Sequence, residues 1–218
     1  MKTLLSKLWN KCPANVRIPL DILRRYPYWK RAGVIFVHIP KSAGVAINTA
    51  LYNRPLGHFF ATDIQKVIPN AFDTLLTFGV VRNPLDRLVS AYRFAKSGGT
   101  SQMGIKNPNN YHIKEFRSFD TFVSEWLVNQ NLSDVDGIFK PQYFYLCDQD
   151  KIIVDHVIYF ENLDHDIQFI SKQIGRKINL THLNKSVLDN ISNINFDTIN
   201  LVKKIYAKDY QIFNYSII

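Results

Sequence analysis

The stretch that decides the fold reads Val34-Ile35-Phe36-Val37-His38-Ile39-Pro40-Lys41-Ser42-Ala43-Gly44. Val34 to Ile39 is a continuous β-branched and aromatic run, the pattern of a strand buried on both faces of a parallel sheet. Pro40 ends it, and a helix is expected from Val45 to Tyr52. The strand therefore delivers a lysine, a hydroxyl and a glycine to a helix start. Helix N-terminal amides bind phosphate or sulfate, and glycine lets the backbone approach closely. A lysine beside them neutralises a transferring group. The order is not that of the nucleotide-triphosphatase loop G-x-x-x-x-G-K-[ST], because Lys41 precedes Gly44. Alone, the stretch suits an ordinary strand-to-helix turn equally well.

A second stretch repeats the pattern. A strand is expected from Leu75 to Val81, followed by Arg82-Asn83-Pro84. Asn83 suits a helix N-cap and Pro84 the first helical position, with the helix running to Ala95. Leu85, Leu88, Val89 and Tyr92 form its apolar stripe. Helical spacing puts Ser90 on the opposite face with Asp86, Arg87, Arg93 and Phe94. Arg82 and Ser90 can grip a second phosphate; the plain alternative is a surface arginine and a solvated serine. Further helices are expected at Asp63–Val67 behind Thr62, from Ser118 (carrying Phe119, Phe122, Val123, Trp126 and Leu127), at Leu163–Ile174 stopped by Gly175, and at Phe196–Lys208. Lys151–Phe160 reads as one or two strands, and 97–112 as a loop. Strands alternating with helices predict an α/β fold with a parallel sheet covered on both faces. Ligands of such folds bind beyond the carboxyl ends of the strands, where both loops lie.

Composition removes other classes. The chain has 218 residues, 46% hydrophobic and 21% charged, which is globular rather than disordered. Cys12 and Cys147 are its only cysteines, so a disulfide scaffold is excluded and a reducing compartment fits. No His/Cys spacing suits zinc, and no apolar run reaches membrane-helix length. The net charge of +9 is concentrated: residues 1–31 carry +7 of it. This divides the chain into a basic N-terminal arm, 1–31, and a single domain, 32–218. Within the arm Leu4, Leu5, Leu8 and Trp9 lie among lysines, as in a helix packed on the domain or a segment lying on an anionic membrane. Ser6, Lys7, Asn10 and Lys11 interrupt the run too early for a signal peptide. No nucleic-acid module accompanies the charge.

Phe36–Gly44 resembles the 5′-phosphosulfate loop of the carbohydrate sulfotransferases (sulfotransferase family 2, which includes the heparan sulfate 2-O-sulfotransferases). Val81–Tyr92 resembles the 3′-phosphate motif of the same family. Gly57-His58 with Ala61-Thr62, Phe160-Glu161-Asn162-Leu163 and Leu183-Asn184-Lys185-Ser186 follow in the family's order, so the resemblance spans residues 33–215. It implies a P-loop NTPase-like α/β/α fold with a central parallel sheet. It also implies 3′-phosphoadenosine 5′-phosphosulfate as donor, no metal, and a hydroxyl of a carbohydrate or glycolipid as acceptor. By this match Lys41, Ser42, Ala43, Gly44 and the Val45 amide hold the 5′-phosphosulfate. Arg82 and Ser90 hold the 3′-phosphate, Lys41 stabilises developing charge, and His58 is the general base. Val45 and Ala46 depart from the family, which has hydroxyl residues there, and leave only backbone amides. Two rival readings are a small-molecule kinase with a related loop and a non-catalytic nucleotide- or glycan-binding paralogue. Glu161 is expected to orient Lys41 or an acceptor hydroxyl, or to cap a helix; His38 is expected to be a packed core histidine. Asn184, Lys185 and Ser186 are expected to close over the donor. His112, His156, His165 and His182 carry no assigned role. The whole reads as a bacterial cytoplasmic enzyme touching the inner membrane through its arm.

Overall fold

The computed structural model describes residues 12–100, 104–105, 107–180 and 194–216. Leu4, Leu5, Leu8, Trp9 and the stretch Leu183–Ser186, read above as part of the arm and of the donor site, lie outside the described residues. So does His182.

The described strands are β1 (Val34–Val37), β2 (Leu76–Val81), β3 (Cys147–Asp148), β4 (Lys151–Ile152) and β5 (His156–Tyr159). β1, β2 and β5 form a parallel sheet in that spatial order, while β3 and β4 make a small antiparallel ribbon. Val37 pairs with Gly79, and Val81 with Tyr159. All four β1 residues are buried, as are the last five of β2, which accounts for the unbroken apolar run of β1 and the mostly apolar run of β2. Two side chains fix the edges. Asp155 Oδ2 accepts from the Thr77 amide at 2.7 Å and from its hydroxyl at 2.9 Å, which sets the β2–β5 register. Tyr52 donates its hydroxyl hydrogen to the Val34 carbonyl and accepts from the Phe36 amide, blunting the free edge of β1.

The helices used below are α1 (Ala14–Ala32), α2 (Gly44–Tyr52), α3 (Ala61–Val67), α4 (Pro69–Thr74), α5 (Pro84–Lys96), α6 (Leu163–Gln173), α7 (Phe196–Ile205) and α8 (Ala207–Ile212). The sheet with α1, α2, α3, α4 and α6 shares one apolar core. Ile22 and Trp29 of α1 sit in it, fully buried, so residues 14–31 of the basic segment are part of the packed body rather than a separate arm. A second core is aromatic and gathers Tyr92 of α5 with Phe116, Phe122 and Phe139. Phe122 stacks on Trp126 at 5.4 Å and meets Phe116 at 4.9 Å, pairs of a kind that add about 0.5–1.5 kcal/mol each beyond their burial.

Two elements differ from expectation for visible reasons. The helix from Ser118 keeps its cap but changes hydrogen-bond pattern, from an α-turn at Phe119–Thr121 to a π-turn at Phe122–Trp126. The helix expected over Phe196–Lys208 is broken at Tyr206, where α8 begins. Tyr206 turns its hydroxyl inward to the Phe139 carbonyl at 2.7 Å. Asp209, wholly buried, accepts from the amides of Gln142 and Tyr143, both at 2.9 Å. Arg87 is corrected too. It is fully buried rather than on a solvent face beside Ser90, and it donates to the carbonyls of Ile138 at 3.1 Å and Lys140 at 2.7 Å. Phe94, expected on that same open face, is also buried.

Candidate active site at the ends of the first two strands

β1 and β2 are parallel neighbours, so their carboxyl ends release the 38–44 and 82–83 loops side by side. The first loop is tight. Lys41 and Ala43 both have left-handed backbones, at φ 69° and 57°. Gly44 then opens α2, and the first helical bond is Ile47 N–H to the Ala43 carbonyl at 3.2 Å. The amides of Gly44, Val45 and Ala46 precede that ladder, and helix ends leave such donors without an internal acceptor. Gly44 is required by contact. A Cβ there would lie 1.7 Å from the His38 ring, a distance no side chain tolerates. Val45 is exposed.

Lys41 is half-buried, with its ammonium 4.2 Å from the centroid of Phe94 on α5. Burial, and then the nearby Arg82 charge, pull its pKa down to about 8. Ser42 points inward: it is fully buried, and its Oγ has no hydrogen-bond partner among the described residues. An unmade hydrogen bond of that kind costs about 1–3 kcal/mol.

Arg82 comes from the second loop and is also buried, its guanidinium 4.4 Å over the Phe160 ring. One of its N–H groups points to the Lys41 carbonyl at 3.5 Å. Gln142 clamps its backbone from both sides, accepting from the Arg82 amide at 2.9 Å and donating to its carbonyl at 2.8 Å. Asn83 caps α5 as its sequence position predicts, accepting from the amides of Leu85 and Asp86. Ser90 lies half-buried two turns into that helix. Glu161 does not orient Lys41. Its carboxylate accepts from the Asn83 amide at 2.7 Å and from the Tyr215 hydroxyl at 2.9 Å, and so braces the second loop.

His58 joins the first loop through His38. Its Nδ1 lies 3.1 Å from the His38 carbonyl oxygen. A carbonyl only accepts, so Nδ1 carries the hydrogen and Nε2 of the neutral ring is left with its lone pair. His58 exposes much of its surface, yet protein crowds the ring closely enough that burial lowers its pKa below 6.5, against the opposing pull of the His38 carbonyl and Asp136. The two imidazole centroids are 4.1 Å apart. His38 is the packed residue its sequence position suggests, with its pKa held well below 6.5 by burial and by His58. Its packing has a purpose, because the ring is wedged between Gly44 and His58. Asn48 Nδ2 donates to the Gly44 carbonyl at 2.8 Å and to His38 Nδ1 at 3.2 Å, which fixes the hydrogen of neutral His38 on Nε2.

Sequence reasoning missed Asn48, Gln142, Tyr215 and Asp136. Asn48 left a signal: a polar residue one turn after Gly44 on the helix face that Ile47 and Leu51 bury. The other three depend on distant pairings that no local spacing shows.

In sum of charge, the site presents a lysine, an arginine and a helix N-terminus around an unpartnered hydroxyl, next to a neutral imidazole with a free lone pair. That set can bind an anionic ester and accept a proton. No solved structure matches the chain. A protein of Archaeoglobus fulgidus described only as uncharacterized is 32% identical over 112 residues, covering 51% of this chain and 77% of its own length. The profile of the sulfotransferase family matches residues 25–216, nearly the whole chain, and the chain belongs to that family.

Proposed function

We propose that the protein moves a sulfuryl group from 3′-phosphoadenosine 5′-phosphosulfate to a hydroxyl of a carbohydrate or glycolipid. The observation that carries this reading is the convergence of Lys41 and Arg82, delivered by adjacent strand ends to one helix N-terminus. On this reading the parallel sheet is a P-loop-like core. Lys41 and the amides of Gly44 and Val45 face the 5′-phosphosulfate. Ser42 Oγ gains a partner once the loop closes on that group, and Arg82 with Ser90 takes the 3′-phosphate. The acceptor oxygen attacks sulfur as His58 Nε2 removes its proton, and adenosine 3′,5′-bisphosphate leaves with the electrons of the broken S–O bond. Lys41 neutralises the charge that builds on the bridging oxygen. No step is routed through a metal ion.

Among the described residues no helix is long and apolar enough to cross a membrane. Cytoplasmic placement with peripheral contact through residues 1–31 is part of the proposal. The membrane contact is supported by Val16, Leu20 and Leu23, exposed on the side of α1 opposite buried Ile22 and Trp29. The test is transfer of labelled sulfate from the donor across a panel of saccharides and lipid-linked sugars. Labelled product that disappears in His58→Ala supports the reading. Phosphoryl transfer from magnesium-ATP instead would replace it with the kinase reading.

A further inference from the structure

A sizeable cleft among the described residues stands apart from the Lys41 loop. It lies at the other end of β1, holds about 650 Å³, and is lined by Tyr28, Arg31, Tyr52, Asn53, Arg54 and Arg176 among others. α2 leads from one place to the other. Its nine residues, at 1.5 Å each, set the two about 13 Å apart.

Three arginines and no carboxylate line this cleft. Two of them are held in place. Arg54 donates to the Tyr28 hydroxyl and lies with its guanidinium 4.8 Å over the Tyr28 ring. Arg176 donates to the Leu51 carbonyl at 3.1 Å. The plain explanation is that these cations balance the carbonyl ends of α1 and α2, which both terminate here. Magnitudes decide against it as the whole account. Two helix C-termini amount to roughly −0.5 charge each, which one arginine offsets. The other two leave about two positive charges on the solvent-facing side of this cleft, where a guanidinium fork can pair with a tetrahedral oxyanion. The volume falls within the range of small-molecule sites and exceeds what a lone ion needs.

We propose that this cleft is a second anion-binding site, taking a phosphate or sulfate ester together with part of the molecule that carries it. Arg54 and Arg176 form its sides, and Arg31 and the Asn53 side chain complete the ring of donors. The same chemistry comes from a soluble sugar ester or from a phospholipid headgroup. The second source is included because helical spacing places Arg24 and Arg31 between this cleft and the exposed Val16, Leu20 and Leu23 stripe of α1. The proposal does not depend on sulfuryl transfer and stands or falls by binding.

The test is amide chemical-shift mapping of the full chain, titrated at fixed ionic strength with inorganic phosphate and with glucose 6-sulfate. Saturable shifts are expected at Arg31, Asn53 and Arg54, unchanged in Lys41→Ala and weakened about tenfold or more by Arg54→Gln. Arg31→Gln, at an exposed position, repeats the test should Arg54→Gln fold poorly. Cosedimentation with phosphatidylglycerol vesicles, against phosphatidylcholine vesicles, separates the sources. Vesicle binding that the two arginine variants abolish assigns the lipid headgroup; shifts without vesicle binding assign a soluble ester. Shifts confined to residues 41–45, or cleft shifts that survive both variants, overturn the proposal. So does a variant that lowers the melting temperature and leaves the shifts intact, since the arginines then serve only the helix ends.

Discussion

The carbonyl oxygen of His38 lies 3.1 Å from His58 Nδ1, and this contact puts the hydrogen of the neutral His58 ring on Nδ1 and leaves the lone pair on Nε2. The same His38 ring leaves no room for a side chain at residue 44. One buried residue thus sets both the tautomer of the proposed base and the shape of the proposed donor loop.

Removing the base should separate chemistry from binding. His58→Ala is expected to lower turnover by about 10²–10⁴ while donor affinity stays within about twofold. Burial lowers the His58 pKa, so the wild-type rate should hold at pH 6.5 and fall only below it, and this acid limb should be missing in the variant. Steady-state rates against pH check both points. A limb centred above pH 6.5 contradicts the assignment.

His38 gives a stability counterpart. Its folded pKa is below its unfolded value, so the fold excludes a proton that the unfolded chain binds. The contribution is fully present above about pH 6.5 and is lost as pH falls, at up to about 1.4 kcal/mol per pH unit. Urea unfolding between pH 7 and 5 should show that slope, and His38→Gln should reduce it.

Lys41 is expected to make donor binding sensitive to alkali. With its pKa at about 8, it is charged at neutral pH and loses its proton above 8. Affinity for adenosine 3′,5′-bisphosphate should therefore fall from pH 8 to 10. Lys41→Arg, which keeps its charge, should flatten that decline. Calorimetry across this range reads the effect, and an equal decline in both proteins places Lys41 away from the anion.

Gly44→Ala puts a methyl group inside the His38 ring. Either His38 moves or the loop does, and both disturb His58. The variant should lose donor binding and turnover together, with a lower melting temperature. Retention of wild-type activity would mean that the loop does not hold this close approach in solution.

Much of this was legible in sequence because it is local. The buried runs from Val34 and Leu75, the Asn83–Pro84 helix start and the Gly175 stop all depend on neighbours in the chain. Arg87 was not legible. Its spacing places it beside Asp86 and Ser90, but the 138–140 segment and α8 fold over that face, and its carbonyl partners lie more than fifty residues away. Gln142 escapes a local reading, and for Glu161 the helix-capping alternative is nearer the outcome than a contact with Lys41, for the same reason: each is satisfied by a loop that folding alone brings near. Lys41 and Arg82 were found separately, by motif, while their adjacency follows from the pairing of β1 with β2.

The most direct test of the central claim, that two adjacent loops form one donor site, is calorimetric titration of wild-type protein and Arg82→Ala with two ligands. For adenosine 3′,5′-bisphosphate, Arg82→Ala should weaken binding by roughly ten- to a hundredfold, the worth of one charge-assisted contact to phosphate. For adenosine 5′-phosphate, which lacks the 3′ group, it should change little. Equal losses for both ligands, or no loss for either, would contradict the account.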